Sequence, residues 1–366
     1  MGRSQRPVLQ IRVLLRFTML AAFLIIPVFL LSLLLMAAML NFAHRAQLVA
    51  IPTARSSHTV ITPVGGGVAI VFAYLLGIAL LALQGGLGFF ELLALSMSLP
   101  VAVAGFIDDR SDLHHRLRLL IQASSVVLAL LFLGPLPELT FGGVALDGLL
   151  LGVVLAPLCL LWLTNLYNFM DGIDGLAGTQ TGFVSLVAAA LLASNADYPL
   201  ALLCLFIFAG SVAFTVWNWP QARIFMGDVG SGFAGMSLGL VALLAHIHAT
   251  MSLWSWFILL AVFVVDASTT LLRRVLAGQP WAHAHRQHAY QHMANCPNGH
   301  KIVSIAVLLI NVIYLLPLAF YAGKHPEYGV YFTLLAVVPL TVLAILCGAG
   351  KETEGRLTIW VHAKLR

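Results

Sequence analysis

Polar residues in this chain fall in short clusters, and eleven apolar runs lie between them. They sit near 17–40, 66–84, 88–106, 118–134, 148–166, 179–193, 199–217, 232–248, 251–275, 302–322 and 328–348. Each is about the 20 residues that an α-helix needs to cross a hydrocarbon core. The breaks are short and carry Gly, Pro and Asn, as turns should. There is no internal repeat and no low-complexity segment, and the longest polar stretch runs from Arg273 to Lys301. The pattern predicts an all-α, polytopic membrane protein of about 11 transmembrane helices, with 1–366 forming a single integral membrane domain.

Composition removes the soluble alternative. Hydrophobic residues make up 61% of the 366 positions and charged residues 9%, with a mean hydropathy of +0.98. A soluble domain carries about 25% charged residues, too many for this chain to match. The net charge of +5 is small and nowhere concentrated, so nucleic acid is not an expected partner. Cys159, Cys204, Cys296 and Cys347 show no CxxC spacing, which supports neither a disulfide framework nor a zinc knuckle. The first apolar run is too long for a signal-peptide core and lacks a small-residue cleavage site after it, so it reads as an uncleaved helix.

Charge sets the orientation. Of the 19 Lys and Arg residues, Arg45, Arg55, Arg110, Arg116, Arg118, Arg223, Arg273, Arg274, Arg286, Lys301, Lys351, Arg356, Lys364 and Arg366 fall after odd-numbered runs or in the tail. Lys324 stands alone on the other side, so the positive-inside rule places the odd loops in the cytoplasm. Arg3, Arg6, Arg12 and Arg16 disagree with this scheme. They form a basic N-terminal extension over 1–16, which is expected either to lie at the interface or to precede a translation start at Met19.

The acids gather on the same side. Asp108, Asp109, Asp112, Asp171, Asp174 and Asp228 follow odd runs, and Asp266 sits in the cytoplasmic half of the ninth, against only Asp147 and Asp197 elsewhere. An Asp at the bilayer centre costs roughly 2.5–3.5 kcal/mol even on the lenient insertion scale. Such acids must face a polar cleft, and their grouping makes that cleft a candidate site.

Five clusters carry chemistry. In Asp108-Asp109-Arg110-Ser111-Asp112, adjacent carboxylates ask for a cation, and Mg²⁺ is the hard, oxygen-seeking candidate; a solvated helix end neutralised by Arg110, Arg116 and Arg118 is the plainer account. Asn165, Asn168, Asp171 and Asp174 recur every three residues, which would line one side of a helix, with Gly172, Gly175 and Gly178 allowing close backbone approach. The turn Gly227-Asp228-Val229-Gly230-Ser231-Gly232 offers amides and a helix start to an anion and Asp228 to a metal. His283, His285, Arg286, His288 and His292 crowd the loop 273–301. His288 and His292 have a spacing zinc can use, but no HExxH pattern, and a loop gripping phosphates through Arg286 and imidazoles fits better beside carboxylates. Finally, Arg55 and His58 precede Gly65-Gly66-Gly67, where an anionic headgroup or a capped turn into a packing helix are equally good readings.

Taken together, the five clusters resemble the polyprenyl-phosphate N-acetylhexosamine-1-phosphate transferase superfamily, glycosyltransferase family 4, over residues 52 to about 292. The resemblance implies transfer of a sugar 1-phosphate from a UDP-N-acetylhexosamine to undecaprenyl phosphate, with release of UMP. It implies a Mg²⁺ cofactor, for which Mn²⁺ can substitute, and a multi-pass protein of the bacterial inner membrane whose site faces the cytoplasm. Asp108 and Asp109 match the family's paired acids, and Asn168, Asp171 and Asp174 match its Asn-x-x-Asp-Gly-x-Asp-Gly element. Asp228 matches the acid most firmly tied to Mg²⁺, and His288 the first His of its terminal cluster. The expected catalytic set is therefore Asp108, Asp109, Asp171, Asp174 and His288, the metal set Asp228, Asp171 and Asp174, and the substrate-binding set Arg55, His58, Asn165, Asn168, Arg286 and His285. Tyr290 and Gln291 stand where several members have His, and Val64 where many have Arg. The run 285–291 looks like the subgroup that starts O-antigen and related lipopolysaccharide glycans rather than the peptidoglycan translocase. A homodimer fits this expectation without being required by it. An ion-coupled transporter is the rival of another class; it would spread acids through the membrane depth and show a broken-helix repeat.

Overall fold

The computed structural model describes residues 5–52, 60–111, 113–280 and 285–365, with side chains from Phe17 onward. It is a multi-pass, all-α membrane protein. The chain begins with α1 (Gln5–Arg45), a short pair β1 (Val49–Ala50) and β2 (Thr62–Pro63), and α2 (Val68–Gln84). Next come α3 (Phe89–Ser96), α4 (Ser98–Ser111), α5 (His115–Leu133) and the hairpin β3 (Leu139–Phe141) and β4 (Val144–Leu146). The hairpin turns on Gly142 and Gly143, both at positive φ, as a two-residue turn of its kind requires. Then follow α6 (Gly148–Leu150), a π-helical stretch Leu151–Leu155, α7 (Ala156–Met170), α8 (Leu176–Ser194), α9 (Tyr198–Asn218) and α10 (Asp228–Ile247). The chain ends with α11 (Leu253–Leu259), α12 (Ala261–Leu276), the five-residue α13 (Ala289–Met293), α14 (Gly299–Leu309), a second π-helical stretch, α15 (Leu316–Lys324), α16 (Gly329–Cys347) and α17 (Arg356–Leu365).

All eleven apolar runs are helical. Nine spans among the described residues are long and apolar enough to cross a membrane, α11 with α12 makes a tenth as a bent pair, and α2 is a shorter apolar helix of 17 residues. The bent pair corrects the sequence reading, which expects one straight helix over 251–275: the axis turns by 72° at Leu260. No Gly or Pro marks this break. Its cause is tertiary, because Gln180 of α8 donates to the Leu259 carbonyl at 2.9 Å and takes up an acceptor that would otherwise sit bare in hydrocarbon. Asn311, in the second π-helical stretch, donates in turn to Gln180.

The most enclosed helix is α10. Every residue from Val229 to Ala245 is buried, and the helix packs between α4 and α7. Small residues permit this. A Cβ on Gly105 of α4 would lie 2.3 Å from the Asp228 carbonyl oxygen, and one on Gly67 would lie 2.1 Å from Cα of Gly230. The Gly-rich entry to α2 is thus a packing element: Gly66 and Gly67 donate to the carbonyls of Phe225 and Met226, each at 2.8 Å. These close approaches bring the last turn of α4, the α7–α8 turn and the first turn of α10 to one end of the bundle.

Candidate active site

A cavity of about 560 Å³ opens at that end. Asp108, Asp109, Asp171, Asp174 and Asp228 all line it, so three clusters spread over more than a hundred residues of sequence share one space.

Each carboxylate is held differently. Asp109 accepts from the backbone N–H of Asp228 at 2.8 Å and of Val229 at 3.1 Å, so both its oxygens cap the first turn of α10. Asp108 accepts from the Leu113 N–H at 2.7 Å and from Arg118 at 2.8 Å. The same Arg118 nitrogen reaches Asp228 at 2.9 Å, and the Asn168 amide donates to the other Asp228 oxygen at 2.6 Å. Asp174 is buried, accepts from the Ala222 N–H and faces His300 Nδ1 at 3.3 Å. Asp171 differs from the rest. Its carboxylate accepts no hydrogen bond from the described residues, and burial, then the charges of Asp228, Asp109 and Asp174, push it well above the usual carboxylate range.

The expected helical face of Asn165, Asn168, Asp171 and Asp174 is only half present. Helix α7 ends at Met170, and Asp171 to Gly175 form a turn that closes at Gly175 with φ of +80°. The acids therefore project from a helix break, which aims them into the cavity instead of along a helix side. Asn165 is turned away from the cavity and donates to Gln122 and to the Leu161 carbonyl. Asn168 comes to the site through its bond to Asp228.

The His-rich loop also departs from expectation. His288 is buried and does not line the acid cavity; its ring packs with His285 at 5.0 Å between centroids and its Nδ1 faces Asp266 at 3.4 Å. His285 is pushed down to about 4 by burial, then by His288 and Arg274, so it is a neutral imidazole and not a cation for phosphate. His292 bonds to the Lys351 carbonyl, and among the described residues no group of His, Cys, Asp or Glu makes a zinc site with His288. Arg286 lines a second, larger basin with Arg223, His300 and Lys301, which joins the acid cavity at Asp174, Phe225 and His300. Arg55, His58, Asp112 and His283 lie outside the described residues.

Three residues outside the expected site set also line the cavity. Arg118 is the cation between two of the acids, His300 partners Asp174, and Gln291 reaches the cavity from α13. The turn before α13, with His288 accepting through its carbonyl and Gln291 Oε1 accepting from the His288 N–H, fixes where Gln291 points. Arg118 is already readable in the sequence as a cation that neutralises the paired acids, and Gln291 as a departure from the resembled family, whereas His300 carries no such signal.

A family model described as glycosyl transferase family 4 matches residues 91–246, which hold all five cavity acids. A probable undecaprenyl-phosphate N-acetylglucosaminyl 1-phosphate transferase of Bacillus subtilis (strain 168) is 26% identical over 313 residues, 82% of this chain and 85% of the relative. A phospho-N-acetylmuramoyl-pentapeptide-transferase of Synechococcus elongatus is 30% identical over 254 residues, 61% of this chain and 67% of its own. Its counterpart in Lactococcus lactis subsp. cremoris (strain MG1363) is 29% identical over 184 residues, and the chain spans about half of that relative's length, 54%.

Proposed function

The chain belongs to the polyprenyl-phosphate hexosamine-1-phosphate transferase family, and from that premise we propose that it moves an N-acetylhexosamine 1-phosphate from a UDP-sugar to undecaprenyl phosphate. A lipid phosphate oxygen attacks the β-phosphorus, the bond between the two phosphates breaks, and UMP leaves. The observation that carries this reading is the convergence of five Asp on one cavity at one end of a membrane bundle. We propose that the product starts an O-antigen or related envelope glycan; the likeness to the Bacillus relative over 82% of the chain favours an N-acetylhexosamine donor above the pentapeptide-bearing one. The loop charges support an inner-membrane protein with this end in the cytoplasm, where nucleotide sugars are found.

Magnesium suits this donor set. The cavity offers hard carboxylate oxygens, and Asp171 accepts no hydrogen bond from the described residues. Among the described residues no three His, Cys, Asp or Glu side chains form a ready metal cage. Mg²⁺ does not need one, since it typically takes one or two carboxylates together with substrate phosphates and water. Asp171 and the free lone pairs of Asp228 would hold it, with Asp174 beside them and Mn²⁺ able to replace it. The chemistry the ion supplies when bound is neutralisation of charge on the diphosphate and on departing UMP.

The remaining work falls to the chain itself. Arg118 and Asn168 fix the Asp228 carboxylate from two sides. Asp109 holds the start of α10 in register, and so acts by placing Asp228. Asp108 is left as the acid able to take the lipid phosphate proton. The basin of Arg223, Arg286, His300 and Lys301 receives the anionic nucleotide. Purified protein with undecaprenyl phosphate and a panel of radiolabelled UDP-N-acetylhexosamines tests the reading. Divalent-dependent lipid labelling is expected; labelling only from the pentapeptide-bearing sugar nucleotide would move the chain to peptidoglycan synthesis, and none at all would overturn the function.

A further inference from the structure

Asp266 lies in α12, inside a membrane span, and is buried. An acid there is costly unless every lone pair is engaged. Its engagement is unusually complete. Oδ1 accepts from the Ala289 N–H at 2.9 Å and from the Thr270 hydroxyl at 3.2 Å, and faces His288 Nδ1 at 3.4 Å. Oδ2 accepts from the Tyr290 N–H at 3.0 Å. Three of these four partners belong to one stretch, His288 to Tyr290, which lies outside the span.

That stretch leads directly to the acid cavity. The Tyr290 hydroxyl donates to the Phe169 carbonyl at 2.8 Å, just before the turn that carries Asp171 and Asp174. A Cβ on Gly172 would lie 2.1 Å from that hydroxyl oxygen and 3.2 Å from Gln291 Nε2, so α13 is seated hard against the turn. Gln291, one residue further, lines the cavity. A carboxylate that never meets the cavity thus sets the position of what does.

We propose that Asp266 is a positioning residue of the transfer reaction, acting through His288 and Tyr290 to seat α13 against the Asp171–Asp174 turn. The proposal rests on the transferase reading above. Without the carboxylate, the two α13 amides lose their acceptor, His288 loses the charge opposite its ring, and the seat of Tyr290 and Gln291 loosens. The acid turn itself keeps its sequence and its own bonds.

A mutant cycle tests this. Asp266→Asn is expected to lower kcat about a hundredfold with KM for the UDP-sugar changed less than about threefold, a loss confined to the transition state. The same substitution in a chain already carrying His288→Ala and Tyr290→Phe should cost at least about tenfold less than in the wild-type chain, because the His288 ring and the Tyr290 hydroxyl it acts through are gone while the α13 amides remain. An equal loss in both backgrounds would mean a purely structural role and overturn the proposal. Size-exclusion profiles establish that each variant folds. The imidazole ¹⁵N resonances of histidine-labelled protein give a readout that needs no turnover: Asp266→Asn should move the His288 Nδ1 resonance, and an unmoved resonance would refute the pairing. Wild-type protein inactive on every UDP-sugar, with the resonance still responsive, would count against the transferase reading and leave the Asp266–His288 unit supported.

Discussion

Helix α8 has an acid near each end, and the two are treated in opposite ways. Beyond its C-terminus, Asp197 accepts from His248 at 3.0 Å, from the Thr250 hydroxyl at 2.8 Å and from the Leu200 N–H at 3.2 Å. The other nitrogen of His248 reaches Glu91 at 2.8 Å. Burial pushes Asp197 up, yet these bonds outweigh it and hold the group below its usual range. Near the N-terminus of α8, Asp171 has no such company and is pushed well above its usual range. One end ties three loops together with charges that answer each other. The other leaves acids facing acids, with Arg118 as the cation bonded to two of them. A folded chain keeps such repulsion where a ligand, not the fold, is to relieve it.

The sharpest way to break this contrast is to remove acids at the site end. Asp228→Asn should lower turnover by about a thousandfold or more while the protein still inserts and folds. Asp171→Asn should lose activity to a similar degree, yet in EDTA its thermal midpoint should rise by about 2 °C, since an ionised carboxylate with raised proton affinity opposes folding at neutral pH. Labelling assays and thermal unfolding in detergent check both, and a lower midpoint for Asp171→Asn would show that the acid is compensated after all. Arg118→Met ranks next, at about a hundredfold in turnover, because Asp108 and Asp228 would then repel each other across the cavity. Near-normal activity would make Arg118 a bystander.

Much of this arrangement is legible in the sequence, and the gaps have physical reasons. Apolar runs are a local property, so 328–348 anticipates α16 at Gly329–Cys347 almost to the residue. The gathering of the five cavity acids follows from counting charges loop by loop. The break at Leu260 does not, because its acceptor is satisfied by Gln180, 79 residues away. Nor does the retreat of His288: a histidine-rich loop reads as polar and open, and only the fold shows that Asp266 draws that ring inward. The three-residue spacing through Asp174 suggests a helix side, but α7 ends at Met170 and the turn that closes at Gly175 aims the acids.

At the far end the expected effects are smaller and of another kind. His248→Gln should leave turnover within about twofold, since the residue lies at the opposite end of the bundle, but should lower the thermal midpoint by about 3 °C. A comparable loss of activity would mean that the two ends are coupled.

The pH dependence of that last difference is the finest test. Bonds from Asp197, set against burial and joined by Glu91, raise His248 from 6.5 to about 9. A histidine that gains proton affinity on folding stabilises the folded state fully at pH values below its unfolded value. The contribution then shrinks as pH rises and is gone above about 9. The midpoint gap between wild type and His248→Gln should therefore be widest at or below pH 6.5, narrow steadily, and close near pH 9. Asp197 does not disturb this window, because its own contribution is lost only on acidification below the usual carboxylate range. A gap that stays constant across the window would show that His248 holds the loops as a neutral hydrogen-bonding ring, and the contrast between the ends would then be one of packing, not of charge.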